Sequence, residues 1–272
     1  MKKHILLFCI LLWGTGMTQY ETNNDSATPA FPWPDGKKCA LSLTFDDARL
    51  SQIDKGIPLL NQFGIKATFY ISPENLQQRL EGWKQAVANG HEIGNHTNTH
   101  PCTGNYAFSR DNALEDYDLD KIASDIDQAN DFILTELGIQ TQSFAYPCGQ
   151  KFVGRDDDVQ SYVPLISERF LSGRGWLGED SNDPWLCDFS QLLGMESDGK
   201  SFEDLKNLLD KAVAEGRWLV LAGHEMDDGG RQTTLLSSLE ELCRYAQDPQ
   251  NGIWIDTVAN IATYIKENRE AK

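Results

Sequence analysis

The chain has 272 residues, with 41 acidic against 24 basic side chains, a net charge of −17 and an apolar share of 40%. That length suits one α/β barrel around a single core better than several small domains. The charge argues against a polyanionic partner such as nucleic acid, so the expected ligand is neutral or cationic.

The first residues, Met1 to Met17, carry Lys2 and Lys3, an apolar run from Ile5 to Trp13, and then Gly14, Thr15 and Gly16. This pattern predicts a signal peptide at 1–17 and a secreted or periplasmic protein. The apolar run falls short of the roughly 20 residues that span a membrane, and nothing later in the sequence supplies such a run. Removing Lys2 and Lys3 moves the charge to −17 − 2 = −19. A polar stretch over 18–37 reads as a linker, and 38–272 as one domain. Cys9 leaves with the leader. The other five cysteines show no C-x-x-C spacing, so at least one thiol stays free and the pairing is open.

Strands are predicted at Ala40 to Phe45, Ala67 to Ile71, His91 to Gly94, Ser143 to Tyr146 and Trp218 to Ala222. Several are apolar almost throughout, as parallel strands covered on both faces are. Between them Leu119, Ile122, Ile126, Ala129, Ile133 and Leu137 recur at helical steps, and Gly138 can close that helix. Ser201 and Asp204 resemble a capping box, and Asp256 is expected to cap a last helix carrying Val258, Ile261 and Ile265.

Chemistry concentrates at strand ends. Leu41 to Phe45 runs into Asp46-Asp47, two adjacent carboxylates whose side chains diverge, at the end of a strand where α/β folds bind ligands. Taken alone, the pair reads as a cap for a helix starting near Ser51. Three of the five histidines lie between His91 and His100, and His96 and His100 stand four residues apart just after a strand. Pro101 disfavours a helix at His100 and predicts a turn. Two imidazoles and one carboxylate make a three-ligand site with open positions, suited to catalysis.

Thr44-Phe45-Asp46-Asp47 and His96-x-x-x-His100 resemble the first two motifs of the NodB-homology polysaccharide deacetylases, carbohydrate esterase family four, over roughly Lys38 to Ile265. The resemblance implies a distorted (β/α) barrel with an incomplete strand set. It implies Asp46 as base, Asp47, His96 and His100 as metal ligands, and Zn²⁺ or Co²⁺ as the ion. Ala145-Tyr146-Pro147-Cys148-Gly149 is similar to the third motif, Arg-Pro-Pro-Tyr-Gly, whose backbone supplies an oxyanion donor. Here that donor is Cys148, beside Tyr146 and Pro147. Ala145 replaces the motif's arginine, so Arg174 or Arg155 is expected to take its place. Asp180 to Trp185 resembles the fourth motif, with Asp183 as support and Trp185 as a sugar-facing wall. Trp218 to Glu225 resembles the fifth, with His224 as general acid and Leu221 lining an acetyl pocket.

The activity implied is removal of N- or O-acetyl groups from an acetylated poly- or oligosaccharide, releasing acetate. The sequence chooses neither the saccharide nor the oligomeric state. Two alternatives differ in kind: a metal-dependent hydrolase of non-sugar C–N bonds, and a silent carbohydrate-binding homologue. The second has no need of Asp46 beside a metal site.

Overall fold

The computed structural model describes residues 29–270. The predicted leader and most of the predicted linker lie outside them. Among the described residues the strands are β1 (Cys39–Asp46), β2 (Thr68–Ile71), β3 (Glu92–Asn95), β4 (Ser143–Ala145), β5 (Phe152–Val153), β6 (Gln160–Ser161), β7 (Ser172–Arg174), β8 (Met195–Glu196), β9 (Trp218–Gly223), β10 (Glu225–Asp227), β11 (Thr233–Leu235) and β12 (Ile253–Ile255). The helices are α1 (Ile57–Gln62), α2 (Pro73–Gln77), α3 (Leu80–Ala88), α4 (Leu119–Leu137), α5 (Val163–Arg169), α6 (Phe202–Glu215), α7 (Leu236–Gln247) and α8 (Val258–Glu270).

The main sheet runs β7-β4-β3-β2-β1-β9-β8, parallel throughout. One edge of β1 pairs with β9, while β12 takes its first residues and β2 its last. Leu192 bridges Arg174 of β7, and three residues later Met195 pairs with Leu221 of β9, so one segment spans the two ends of the curled sheet. This is the incomplete (β/α) barrel that the motif resemblance implies, built from the parallel strands that the apolar runs predict.

Alternation along β1 and β9 decides what reaches the site. Cys39, Leu41, Leu43 and Phe45, with Leu219 and Leu221, pack beneath buried side chains of α1, α6 and α7. Ala40, Trp218 and Val220 point to the other face, toward Val258, Ile261 and Ile265 of α8. Successive strand residues alternate faces, so Asp46 continues the second face. It emerges at the carboxyl end of β1 rather than under the helices.

Helix ends follow the sequence at two places. Gly138 sits at φ 70° and ψ 20°, receptive to a left-handed stop, and Ser201 and Asp204 form both halves of the capping box. At α8 the cap differs from the expected one. The Asp256 carboxylate accepts from Thr257 N–H at 2.8 Å, and the Thr257 hydroxyl accepts from Asn260 N–H at 3.3 Å. The half-buried Glu92 carboxylate also accepts from Ala259 N–H at 3.0 Å.

The packed body begins at Phe31, inside the segment predicted as a linker. Phe31 and Trp33 are buried against Trp254, Tyr264 and Trp185, and the Trp33 indole donates to the Gly216 carbonyl at 3.0 Å. Burying such a ring stabilises by about 1.5–3 kcal/mol, which outweighs the polar character of the surrounding stretch. No helix among the described residues is long and apolar enough to cross a membrane.

Candidate active site

The ends of β1 and β3 and the turns after them bring Asp47, His96 and His100 together. Asp47, Ala48, Thr97 and His100 all have positive φ, 72°, 52°, 64° and 51°. Side-chain-bearing residues reach that region at a cost of about 1–3 kcal/mol each, so tertiary contacts must hold them there. They do. Asn95 Oδ1 accepts from Thr97 N–H at 2.7 Å, the Thr97 hydroxyl accepts from His100 N–H at 3.0 Å, and Asn75 binds the Asp47 carbonyl at 2.8 Å. Asp125, buried on α4, accepts from the Asn98 and Thr99 amides and from the Thr99 hydroxyl.

Asp47 Oδ1 lies 3.4 Å from Nε2 of both His96 and His100. That is too long for a charge-assisted hydrogen bond, which closes to about 2.7–2.9 Å. It matches the edge of a tetrahedron of ligands about 2.0–2.1 Å from a central ion, which is about 3.3–3.4 Å. His96 Nδ1 faces the Ala145 carbonyl at 2.8 Å, so that nitrogen carries the proton and Nε2 keeps its lone pair for the site. Burial pushes the His100 ring down to about 4, which keeps it neutral and able to ligate. Burial opposes the Asp47 charge, but His96 and the other imidazoles hold the carboxyl well below its ordinary range. Arg49 binds the second Asp47 oxygen at 2.8 Å, leaving Oδ1 for the imidazole side. These donors fit a divalent ion with borderline preference.

Asp46 and His224 flank this triangle. The Asp46 carboxylate pairs with Arg174, whose guanidinium is fully buried, donates to the Gly175 carbonyl at 2.8 Å and lies 5.0 Å from the Tyr70 ring centre. His224 Nδ1 faces Asp198 Oδ2 at 2.7 Å, and its backbone N–H donates to Asp198 Oδ1 at 3.1 Å. Burial works against a charged ring, yet the Asp198 bond and the nearby Asp46 and Asp47 carboxylates outweigh it and raise the His224 pKa. Gln52 Nε2 donates to the Asp46 carbonyl at 2.7 Å and to the His224 carbonyl at 2.8 Å, tying the two strand ends together. Gln52 opens a π-helical turn over Gln52–Gly56, a backbone form frequent at functional sites.

A cavity of about 590 Å³ opens over these groups, lined also by Cys148, Trp176 and Phe108. Trp176 meets the His224 ring edge-on at 4.8 Å. Cys148 is disulfide-bonded to Cys102, two residues past His100, so the turn after β4 is tied covalently to the second histidine's loop. Cys39, Cys187 and Cys243 remain thiols.

Residues 34–163 match the family model described as polysaccharide deacetylase. Over those residues, just under half of the chain, the sequence is similar to the polysaccharide deacetylases. A peptidoglycan-N-acetylglucosamine deacetylase of Bacillus cereus is 40% identical over 65 residues, 24% of this chain and 24% of that protein. The segments shared with curated relatives span between 5% and 27% of those proteins' own lengths. Among solved structures, the Puue allantoinase superposes with a TM-score of 0.63 at 16% identity, over 88% of this chain and 94% of that one. The peptidoglycan deacetylase PdaC of Bacillus subtilis gives 0.51 at 20%, over 88% and 96%. At those identities the likeness is one of fold.

Several expected residues lie elsewhere. Trp185 packs against Phe31 with ring centres 4.7 Å apart, and Asp183 accepts from Trp185 N–H at 2.8 Å in a local turn, so neither reaches the cavity. Trp176 lines the cavity instead, and Asp198 is the carboxylate at His224. Leu221 falls on the helix-covered face of β9, in the core with Leu43 and Leu205. Tyr146 is buried against Phe144 and Tyr162 and donates to the Ser190 carbonyl at 2.8 Å, and the neighbouring Pro147 is buried too. Arg155 pairs with the exposed Asp116. Arg174 is the arginine at Asp46, and the register explains why: Ala145 of β4 pairs directly with Arg174 of β7. The guanidinium arrives from the neighbouring strand at the same level.

Asp198, Gln52 and Asp125 escaped the sequence reading. Asp125 alone left a signal, an acid on the apolar stripe of Ile122, Ile126 and Ala129. Gly223, the residue before His224, has a steric reason. A Cβ there would stand 2.3 Å from the Thr234 hydroxyl and 2.8 Å from Asp198 Oδ1. Only a bare backbone lets Asp198 close on His224.

Proposed function

We propose that the chain is an exported, metal-dependent carbohydrate deacetylase that hydrolyses acetyl groups on a poly- or oligosaccharide and releases acetate. The observation that carries this reading is the 3.4 Å spacing of Asp47 Oδ1 from both imidazole nitrogens, flanked by Asp46 with Arg174 and by His224 with Asp198. A Zn²⁺ or Co²⁺ ion held by Asp47, His96 and His100 would acidify a water and polarise the acetyl carbonyl.

The chain's own groups then divide the proton work. Asp46 accepts a proton from the attacking water, and Arg174 fixes which oxygen of Asp46 is free to do so. The Cys148 backbone N–H serves as donor to the developing oxyanion, a role independent of its side chain. His224, kept protonated by Asp198, gives its proton to the departing nitrogen or oxygen as the carbonyl carbon's bond to it breaks. A raised histidine suits an amine, the poorer leaving group, so N-acetyl substrates are the first to try. The B. cereus relative's name adds peptidoglycan glycans to that set. Trp176 beside His224 offers an apolar wall.

Acetate release from defined acetylated saccharides is measured after chelation and again after Zn²⁺ or Co²⁺ is returned. Activity should vanish and recover. Asp46→Asn should keep metal and lose turnover by about 10²-fold or more, while Asp47→Asn should lose metal affinity and recover in part with excess ion. Full activity with metal absent by elemental analysis would end the metal reading, and no acetate from any saccharide would end the substrate reading.

A further inference from the structure

The loop between His100 and α4 is rigid inside and apolar at its tip. Cys102 is bonded to Cys148, its amide donates to the buried Ser109 hydroxyl at 2.9 Å, and that hydroxyl donates back to the Cys102 carbonyl at 2.8 Å. Glu115 accepts from the Thr103 hydroxyl and from Gly104 N–H, and Asn112 donates to the Thr99 carbonyl at 3.1 Å. A loop so fixed could have carried any polar side chains outward. Instead Tyr106 is 46% exposed and Phe108 71% exposed. Their rings are parallel within 7° with centres 5.5 Å apart, an offset stack in which Tyr106 fixes the plane of Phe108.

Both rings line the cavity of the candidate active site, and the Phe108 ring lies 6.5 Å from that of His100. Trp176 and the exposed Leu177 line the same cavity, so the rings edge a cleft, not an isolated patch. Exposed, preorganised aromatic faces at the edge of a cleft mark recognition of a ligand with an apolar face. A sugar ring has such a face, formed by its C–H bonds, with hydroxyls around the rim to stay in water. The continuity with the cavity favours a thin chain that lies in the cleft over a protein surface.

Building on the deacetylase reading, we propose that Phe108, backed by Tyr106, is a stacking subsite for a sugar residue of the glycan next to the one being deacetylated. The enzyme therefore acts on oligomers in preference to single sugars. Losing one well-placed stacking face should cost roughly tenfold in affinity.

The test compares acetylated N-acetylglucosamine tetramer with the monomer on the metal-loaded enzyme. Phe108→Ala should lower the tetramer-to-monomer ratio of kcat/KM by roughly tenfold through KM, Tyr106→Ala should do so less, and Phe108→Trp should keep the ratio. An equal loss on both substrates, or an unchanged ratio, overturns the subsite. Calorimetric binding of the tetramer to wild type and Phe108→Ala separates this proposal from the one beneath it. Tetramer binding weakened roughly tenfold by the substitution upholds the subsite even if no acetate is released. Equal binding by both proteins refutes it whatever the turnover.

Discussion

Removing the Cys102–Cys148 bridge by the double substitution Cys102→Ala, Cys148→Ala offers a test whose size follows from the chain itself. The bridge joins residues 46 apart. In the chain-entropy treatment a closed loop of that length restricts the denatured state by about 13 cal/mol/K, or about 4 kcal/mol at 25 °C. For a domain of this size each kcal/mol moves Tm by about 2–4 °C, so a fall of about 8–16 °C is expected. The native loops should stay joined, because Thr103 N–H still donates to Gln150 Oε1 at 2.7 Å and Leu114 N–H to the Cys102 carbonyl at 2.9 Å. Urea unfolding of both proteins is measured in chelator, since bound metal would add its own stabilisation. A phosphine reductant should bring wild type down to the variant and leave the variant unmoved. A difference under about 1 kcal/mol, or a variant that still responds to reductant, would refute the argument.

Other outcomes follow from the buried charges. Arg174→Met should destabilise by about 3–5 kcal/mol, because it strands the Asp46 carboxylate, and cut kcat by about 10²-fold; with Asp46→Asn added, the cost in urea should fall below the sum of the two single changes. Asp198→Asn removes the group that holds a proton on His224, so the alkaline limb of the kcat/KM profile should move to lower pH, and amide substrates should suffer more than esters. His91 accepts from Ala67 N–H and faces Asn61, and burial, helped by Lys66, lowers it to about 4 from 6.5. The unfolded chain therefore binds a proton that the folded chain refuses as pH falls from about 6.5 to about 4. His91→Asn should lose up to about 3 kcal/mol less stability over that window than wild type, read from urea midpoints at several pH values.

How far the sequence could be read depended on whether a residue's role lies in its own neighbourhood. Asp46, Asp47, His96 and His224 end or directly follow strands whose apolar runs mark them, and His100 follows His96 by four residues, so their placement was legible, and so were the Gly138 stop and the Ser201 box. Asp198 and Gln52 lie on connecting segments with no periodicity of their own, and they reach the site only because the sheet curls. Leu221 shows the limit from the other side: the strand was visible, but which face of it meets the cavity depends on register with β1. Asp180 to Trp185 matched a pattern of residue types, yet packing against Phe31, in a stretch that reads as a linker, drew Trp185 away. Arg174 was one of two arginines the sequence offered, and only the pairing of β4 with β7 chose between them.

Phe45 and Gly223 sit directly across from one another on hydrogen-bonded strands, and the next residues on each are Asp46 and His224. The backbones that carry Asp46 and His224 are therefore held apart by the repeat between neighbouring strands, about 4.8 Å, and not by any loop. A slip of one residue would send one of the pair under the helices. The groups around them come from other elements: Arg174 from the strand beside β4, the Cys102–Cys148 bridge from two loops, and Trp176 from the turn after β7. The sheet acts as a ruler, and the loops hang the rest of the site from its marks.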